Sequence, residues 1–141
     1  MPNLAALLKD WVWQVRELLA EDDELGRHSE WVIGEMLSGS PEGGDGVWPA
    51  EPVRDLLDEP EADRLAEGFL AGVANNRGVT VRRPFEGGRQ ERNLAARYDG
   101  WADRIAATWP QATLVLKQCA DRLREDARRW DDDAEDTQDK A

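Results

Sequence analysis

The chain has 141 residues and a formal net charge of −12, from 30 acidic and 18 basic side chains. Its length suits one domain that buries roughly 68% of the unfolded surface, and 40% hydrophobic residues place it outside the disordered class. One cysteine (Cys119) and one histidine (His28) exclude an internal disulfide framework and a Cys/His zinc site, and the acidity argues against nucleic-acid binding by the whole surface.

Along the chain, Leu4, Leu7, Leu8, Trp11, Val12, Val15, Leu18 and Leu19 recur at helical spacing. They predict a first helix over 4–19, capped by Asn3 and stopped at Gly26 after "AEDDEL". Ser29 is expected to cap a second, shorter helix, "EWVIGEML". That helix stops at "SGSPEGGDG", which reads as a mobile loop. "EPVRDLLD" gives one or two helical turns. Pro60 opens a further helix whose apolar stripe runs through Ala62, Leu65, Ala66, Phe69, Leu70, Val73 and Ala74, with Gly78 as its stop. The following "VTV" is a short extended piece with no evident strand to pair with. Residues 90–109 form the next helix, with Leu94, Tyr98, Trp101, Ala102, Ile105 and Trp109 in line. Pro110 breaks the ladder and starts a last helix, so the two form an antiparallel hairpin with a Trp-Pro corner. On the last helix Ala112, Leu116, Cys119, Ala120, Leu123, Ala127 and Trp130 share a face. The expected fold is all-α: five to six helices in one domain over 1–131, ending in the long hairpin, with 132–141 a frayed acidic tail.

The sequence opens with no signal-peptide pattern and holds no 18-residue apolar run, which points to a cytoplasmic protein without a membrane span. Arg greatly outnumbers Lys, and Ile occurs only at 33 and 105, a bias of GC-rich bacterial genomes. The words "NNRGVTVR", "GGRQERNLAARYDGW" and "TWPQATLVLKQCADRLRE", in this order, resemble a group of short uncharacterised bacterial proteins from GC-rich genomes. The resemblance covers roughly residues 68–135. It implies a cytosolic bacterial protein with a helical hairpin, and it brings no catalytic or binding residue.

No nucleophile word surrounds His28, and Cys119 sits on an apolar helix face, where a small buried hydrophobe is expected. No P-loop, HExxH, GxSxG or EF-hand word is present. The reading is therefore a non-enzymatic protein with no cofactor and no metal. Trp13 lies about 200° from Trp11 on the first helix, either covering a second packed surface or serving as an exposed anchor. Trp48, in the Gly-rich loop, carries the same two readings.

Arg77, Arg82, Arg83, Arg89 and Arg92 break the acidic pattern. Residues 1–76 carry 17 acidic and 5 basic side chains, whereas 77–97 carry six arginines against Glu86 and Glu91. Arg89 and Arg92 also open a helix, where the dipole disfavours cations by ~0.3–1 kcal/mol each. One reading docks these arginines onto the acidic first half. The other makes an anion site with Gly87 and Gly88 at the helix N-terminus. The function expected is a protein-interaction or accessory module acting through this segment, with Trp13 and Trp48, on a protein partner or a second copy. The alternative is an anion- or nucleic-acid-binding adaptor using the same arginines, with nucleic acid the less favoured ligand; the third is a carboxylate-based enzyme.

Overall fold

The computed structural model describes residues 4–77 and 86–140, the side chains of residue 4 and of residues 137–140 excepted. The described residues form six α-helices and no strand: α1 (Leu4–Leu18), α2 (Asp23–Leu37), α3 (Glu51–Leu57), α4 (Asp63–Asn76), α5 (Arg89–Ile105) and α6 (Pro110–Lys140). The all-α class with a closing hairpin is as expected. The predicted "VTV" piece and the Gly78 stop lie outside the described residues. The chain gathers into two compact units, Met1–Asn76 and Arg77–Ala141, each taken by itself below.

In the first unit α1 ends at Leu18, and α2 begins before the predicted cap. Asp22 takes the N-cap role, its carboxylate accepting the Leu25 N–H at 2.9 Å. Asp23 and Glu24 then occupy the first turn, where acidic charge meets the helix dipole favourably. Gly26, expected as a stop, is thus inside α2. Ser29, expected as a cap, is inside it too and donates its hydroxyl back to the Gly26 carbonyl at 2.8 Å.

α2 and α4 pack against each other and run parallel: Trp31 lies at Gly68, Gly34 at Leu65 and Phe69, Ser38 at Gly72. The approach is backbone to backbone. A Cβ on Gly34 would strike the Leu65 carbonyl, and one on Gly68 the Trp31 carbonyl. Gly34-x-x-x-Ser38 on α2 faces Gly68-x-x-x-Gly72 on α4, and this spacing of small residues is what lets two helices come so close. Val12 of α1, Ile33 and Leu37 of α2, Val53, Leu56 and Leu57 of α3, and Leu65 and Phe69 of α4 are buried and form the core of this unit.

The segment between α2 and α3, expected as a mobile loop, is wrapped around one buried cation. Arg54 of α3 has no exposed surface. Its Nε donates to the Pro49 carbonyl at 2.6 Å and its Nη2 to the Val47 carbonyl at 2.7 Å. Asp45 takes Nη1 and Nη2 at 2.8 and 2.9 Å, and its carboxylate also accepts the Val47 N–H at 3.0 Å. Those contacts, led by the Arg54 hydrogen bond, hold the Asp45 carboxyl far below its usual range. The Trp48–Pro49 peptide bond is cis.

The second unit is the α5–α6 hairpin. Asp103 pairs with Lys117, Asp99 with Arg124 and Arg92 with Asp131, so the partner number rises as the α5 number falls: the helices are antiparallel. The buried stripe of α5 is Glu91, Ala95, Tyr98, Ala102 and Ile105. It meets Ala112, Val115, Leu116, Cys119, Ala120, Leu123 and Ala127 of α6. Trp130, expected on the same face, is 40% exposed. α6 continues as helix through the acidic end to Lys140.

Two substitutions test these accounts. Gly68→Ala must push α4 off α2 and costs about 1–3 kcal/mol, read as a lower urea midpoint. Gly100→Ala, on the open side of α5 with nothing near its added methyl group, stabilises by about 0.5–1 kcal/mol, read as a higher midpoint. Separately, Arg54→Met removes the cation beside Asp45 and the donor to the Pro49 carbonyl, and costs about 3 kcal/mol or more. Arg54→Lys does not restore it, because one ammonium group cannot reach the same acceptors as a planar fork. A midpoint for Arg54→Lys equal to that of the unsubstituted chain rejects this role.

Candidate interaction surface

Of the seven residues singled out from sequence, Arg82 and Arg83 lie outside the described residues. Arg77 and Arg92 find partners within the second unit. Arg77 Nη2 reaches Glu91 Oε1 at 3.0 Å, and Glu91 is fully buried on the α5 stripe. Arg92 Nη1 reaches Asp131 Oδ2 at 2.6 Å. The other oxygen of Asp131 accepts the Gly88 N–H at 2.8 Å. Gly87, at φ +68, and Gly88 do present backbone to an anion at the start of α5, as the glycine pair suggested, but that anion is a carboxylate from α6. The Gly88 hydrogen bond first, and Arg92 second, lower the Asp131 pKa. Arg89 remains exposed at the start of α5.

Trp48 is half-buried. Its ring lies 5.4 Å from that of Phe69 at a 33° tilt, and its indole N–H donates to the Ser40 carbonyl at 2.7 Å. Such a ring, packed and satisfied, closes the Arg54 loop onto the core. Trp13 is 59% exposed on α1.

α1 carries a second exposed feature that sequence reading merged with its buried stripe. Leu7, Trp11 and Leu18 are 51%, 37% and 82% exposed. At 100° per residue they fall within about 40° of one another, on a line about 100° or more from buried Val12. Asp10, Gln14 and Glu17 lie between this stripe and Trp13 in the same helical projection. Asp10 accepts a hydrogen bond from Gln14 at 3.2 Å. Among the described residues neither Asp10 nor Glu17 has a cationic partner. The two cations of α1 are engaged elsewhere: Lys9 lies 3.7 Å from Asp55, and Arg16 is held by Glu30 at 2.6 Å and Glu59 at 2.9 Å.

Beyond the end of α1 an open cleft of about 940 Å³ follows, lined by six acids from Asp22 to Glu67 and by Arg16, Arg27 and Arg64. His28, on α2, is exposed beside it. Among the described residues no three His, Cys, Asp or Glu side chains converge as metal ligands would. Burial pushes the Cys119 thiol up to about 12, which keeps it a protonated, unreactive core group at neutral pH.

The Asp131 contact has a pH signature. A carboxylate whose folded pKa lies below its unfolded value of 3.8 contributes stability above that value and loses it as pH falls through the folded pKa. Asp131→Ala should therefore lower the urea midpoint at pH 7, and the gap to the unsubstituted chain should close below about pH 3.8. Asp132→Ala, one residue on and exposed, should leave the midpoint unchanged. Equal effects at 131 and 132 would reject the docked carboxylate.

No family model, no curated protein and no solved structure matches this chain.

Proposed function

We propose that the chain is a non-enzymatic protein-interaction module whose docking face is the exposed arc of α1 from Trp11 round to Trp13. The observation that carries this is the in-phase exposure of Leu7, Trp11 and Leu18 on a helix already anchored by Val12. Leucine and tryptophan side chains held in line at a surface leave apolar area unburied by their own unit, and they suit the apolar centre of an interface. The arginine segment has a weaker claim to that role. Arg77 and Arg92 are partnered inside the second unit, which leaves Arg89 as its described cation open to a ligand. Trp48 is likewise given over to packing.

The test places a photo-crosslinking residue at Gln14, in the middle of the arc, in the source cell. A defined partner adduct should form, and Leu18→Asp in the same chain should abolish it. Leu18 is 82% exposed, so the substitution should leave the urea midpoint within about 0.5 kcal/mol. An adduct pattern that Leu18→Asp does not alter, in protein that is still folded, would sink the proposal.

A further inference from the structure

We infer that the segment this face takes is a basic amphipathic helix of another protein, with cations along one edge of its apolar stripe. The inference rests on the reading of α1 as a docking face and adds the chemistry of the occupant. Leu7, Trp11 and Leu18 offer a straight apolar line along three turns of helix, the contact that a partner helix makes with residues at i, i+4 and i+7. Along one side of that line run Asp10 and Glu17, one helical repeat apart. Both are exposed, and neither has a cation beside it among the described residues. Lys9 and Arg16, which would neutralise them, project to the far side of α1 and are held by Asp55, Glu30 and Glu59.

The excess extends over the whole unit. Residues 1–76 hold 17 acidic side chains against five basic ones. Lys9, Arg16, Arg54 and Arg64 are each paired with an acid of the same unit, so the surplus is not cancelled at the surface. The acid-edged cleft beyond Leu18 prolongs the same field past the end of α1. A second copy of the chain fits this face poorly. Two α1 helices packed antiparallel through the leucine line would bring Asp10 of one towards Glu17 of the other, carboxylate against carboxylate, and like-charge juxtaposition is costly at an interface. A helix with Lys or Arg at the matching edge meets the acids instead, and Trp11 and Trp13 add ring faces on which its cations can rest.

The experiment uses the full chain and three synthetic helical peptides of about 18 residues, five turns each. One has a leucine stripe with lysines elsewhere. The second has the same stripe with glutamates, and the third has the lysines with serine in place of leucine. Binding is read by fluorescence anisotropy at two salt concentrations. The Leu/Lys peptide should bind, more weakly at high salt, and the other two should not. Leu18→Asp should weaken it by about tenfold or more. Asp10→Lys with Glu17→Lys should weaken it and flatten its salt dependence, whereas Glu42→Lys with Asp132→Lys, the same change in net charge outside α1, should leave it unaltered.

Equal weakening by the two double reversals would mean that only net charge is read, and would overturn the inference. Equal binding of the Leu/Glu peptide would also overturn it while leaving α1 as a docking face. A dimer in sedimentation that Leu18→Asp dissolves would assign the face to a second copy. Failure of all three peptides alongside an α1-dependent crosslink at Gln14 would keep the docking face and reject this occupant; failure of both would reject the docking face itself.

Discussion

A guanidinium removed from water must have its donors met by the protein, and Arg54 imposes that condition on the first unit. Leaving such a charge unpaired costs about 3–5 kcal/mol, which selects the loop conformations that bring acceptors to it over those that do not. Residues 38–50 contain four glycines, two prolines and little else to hold them. They become structure because Asp45, Val47 and Pro49 each supply an acceptor to the same side chain. That arrangement carries Val47 and Pro49 into the core and sets Trp48 against Phe69 of α4. One side chain of the short α3 thereby ties the loop between α2 and α3 to the helix pair on either side of it.

The second unit meets a related condition with the sign reversed. Glu91 occupies a position on α5 that the heptad-like stripe reserves for an apolar group, and it is fully buried with Arg77 as its counter-ion. Such a pair adds little net stability over a hydrophobic replacement, but it penalises every register in which the charge is unmatched. Ala95, Ala102, Ala112, Ala120 and Ala127 make the opposite contribution: they permit close contact at several registers. Asp131 resolves the choice further along, because only one alignment of α6 brings its carboxylate to both the Gly88 N–H and Arg92. Packing sets how near the two helices come, and the polar contacts set where each residue falls.

Sequence periodicity was sufficient for the helices because each buries one stripe, and 3.6-residue spacing reports a stripe directly. The α5–α6 hairpin and its Trp-Pro corner were legible for that reason. The α1–α2 boundary was not, since Gly26 and Ser29 look like a stop and a cap until Asp22 is seen to cap first and to place both inside the next helix. Arg54 was invisible because a single arginine in "EPVRDLLD" carries no pattern; two of its four acceptors are backbone carbonyls, which every residue has. The broken charge rule at Arg89 and Arg92 correctly signalled a tertiary contact for Arg92, but the acid that answers it is 39 residues away on α6, beyond the reach of i±4 reasoning. On α1 the failure was of another kind. Leu7, Trp11 and Leu18 share helical spacing with buried Val12; hydrophobicity marks what could be buried, and only the packed structure separates it from what is.

The division of charge explains why that separation has consequences at α1. Residues 77–141 hold 13 basic and 13 acidic side chains, so the entire formal charge of −12 resides in residues 1–76. In the second unit Arg77, Arg92, Lys117, Arg124 and Arg129 are matched to acids of their own unit. In the first, one cation is spent internally on the Arg54 loop and another on the Arg16 network, which removes positive charge from the surface to serve structure. Each of these cations takes at least one acid with it, so the negative potential that remains reflects the surplus of 17 acidic over five basic side chains. It acts on any approaching cation over about a Debye length, roughly 8 Å at physiological salt. For the proposed docking face, leucine and tryptophan side chains within such a potential would discriminate among apolar partners by the charges those partners bring, which the same residues on a neutral surface would not do.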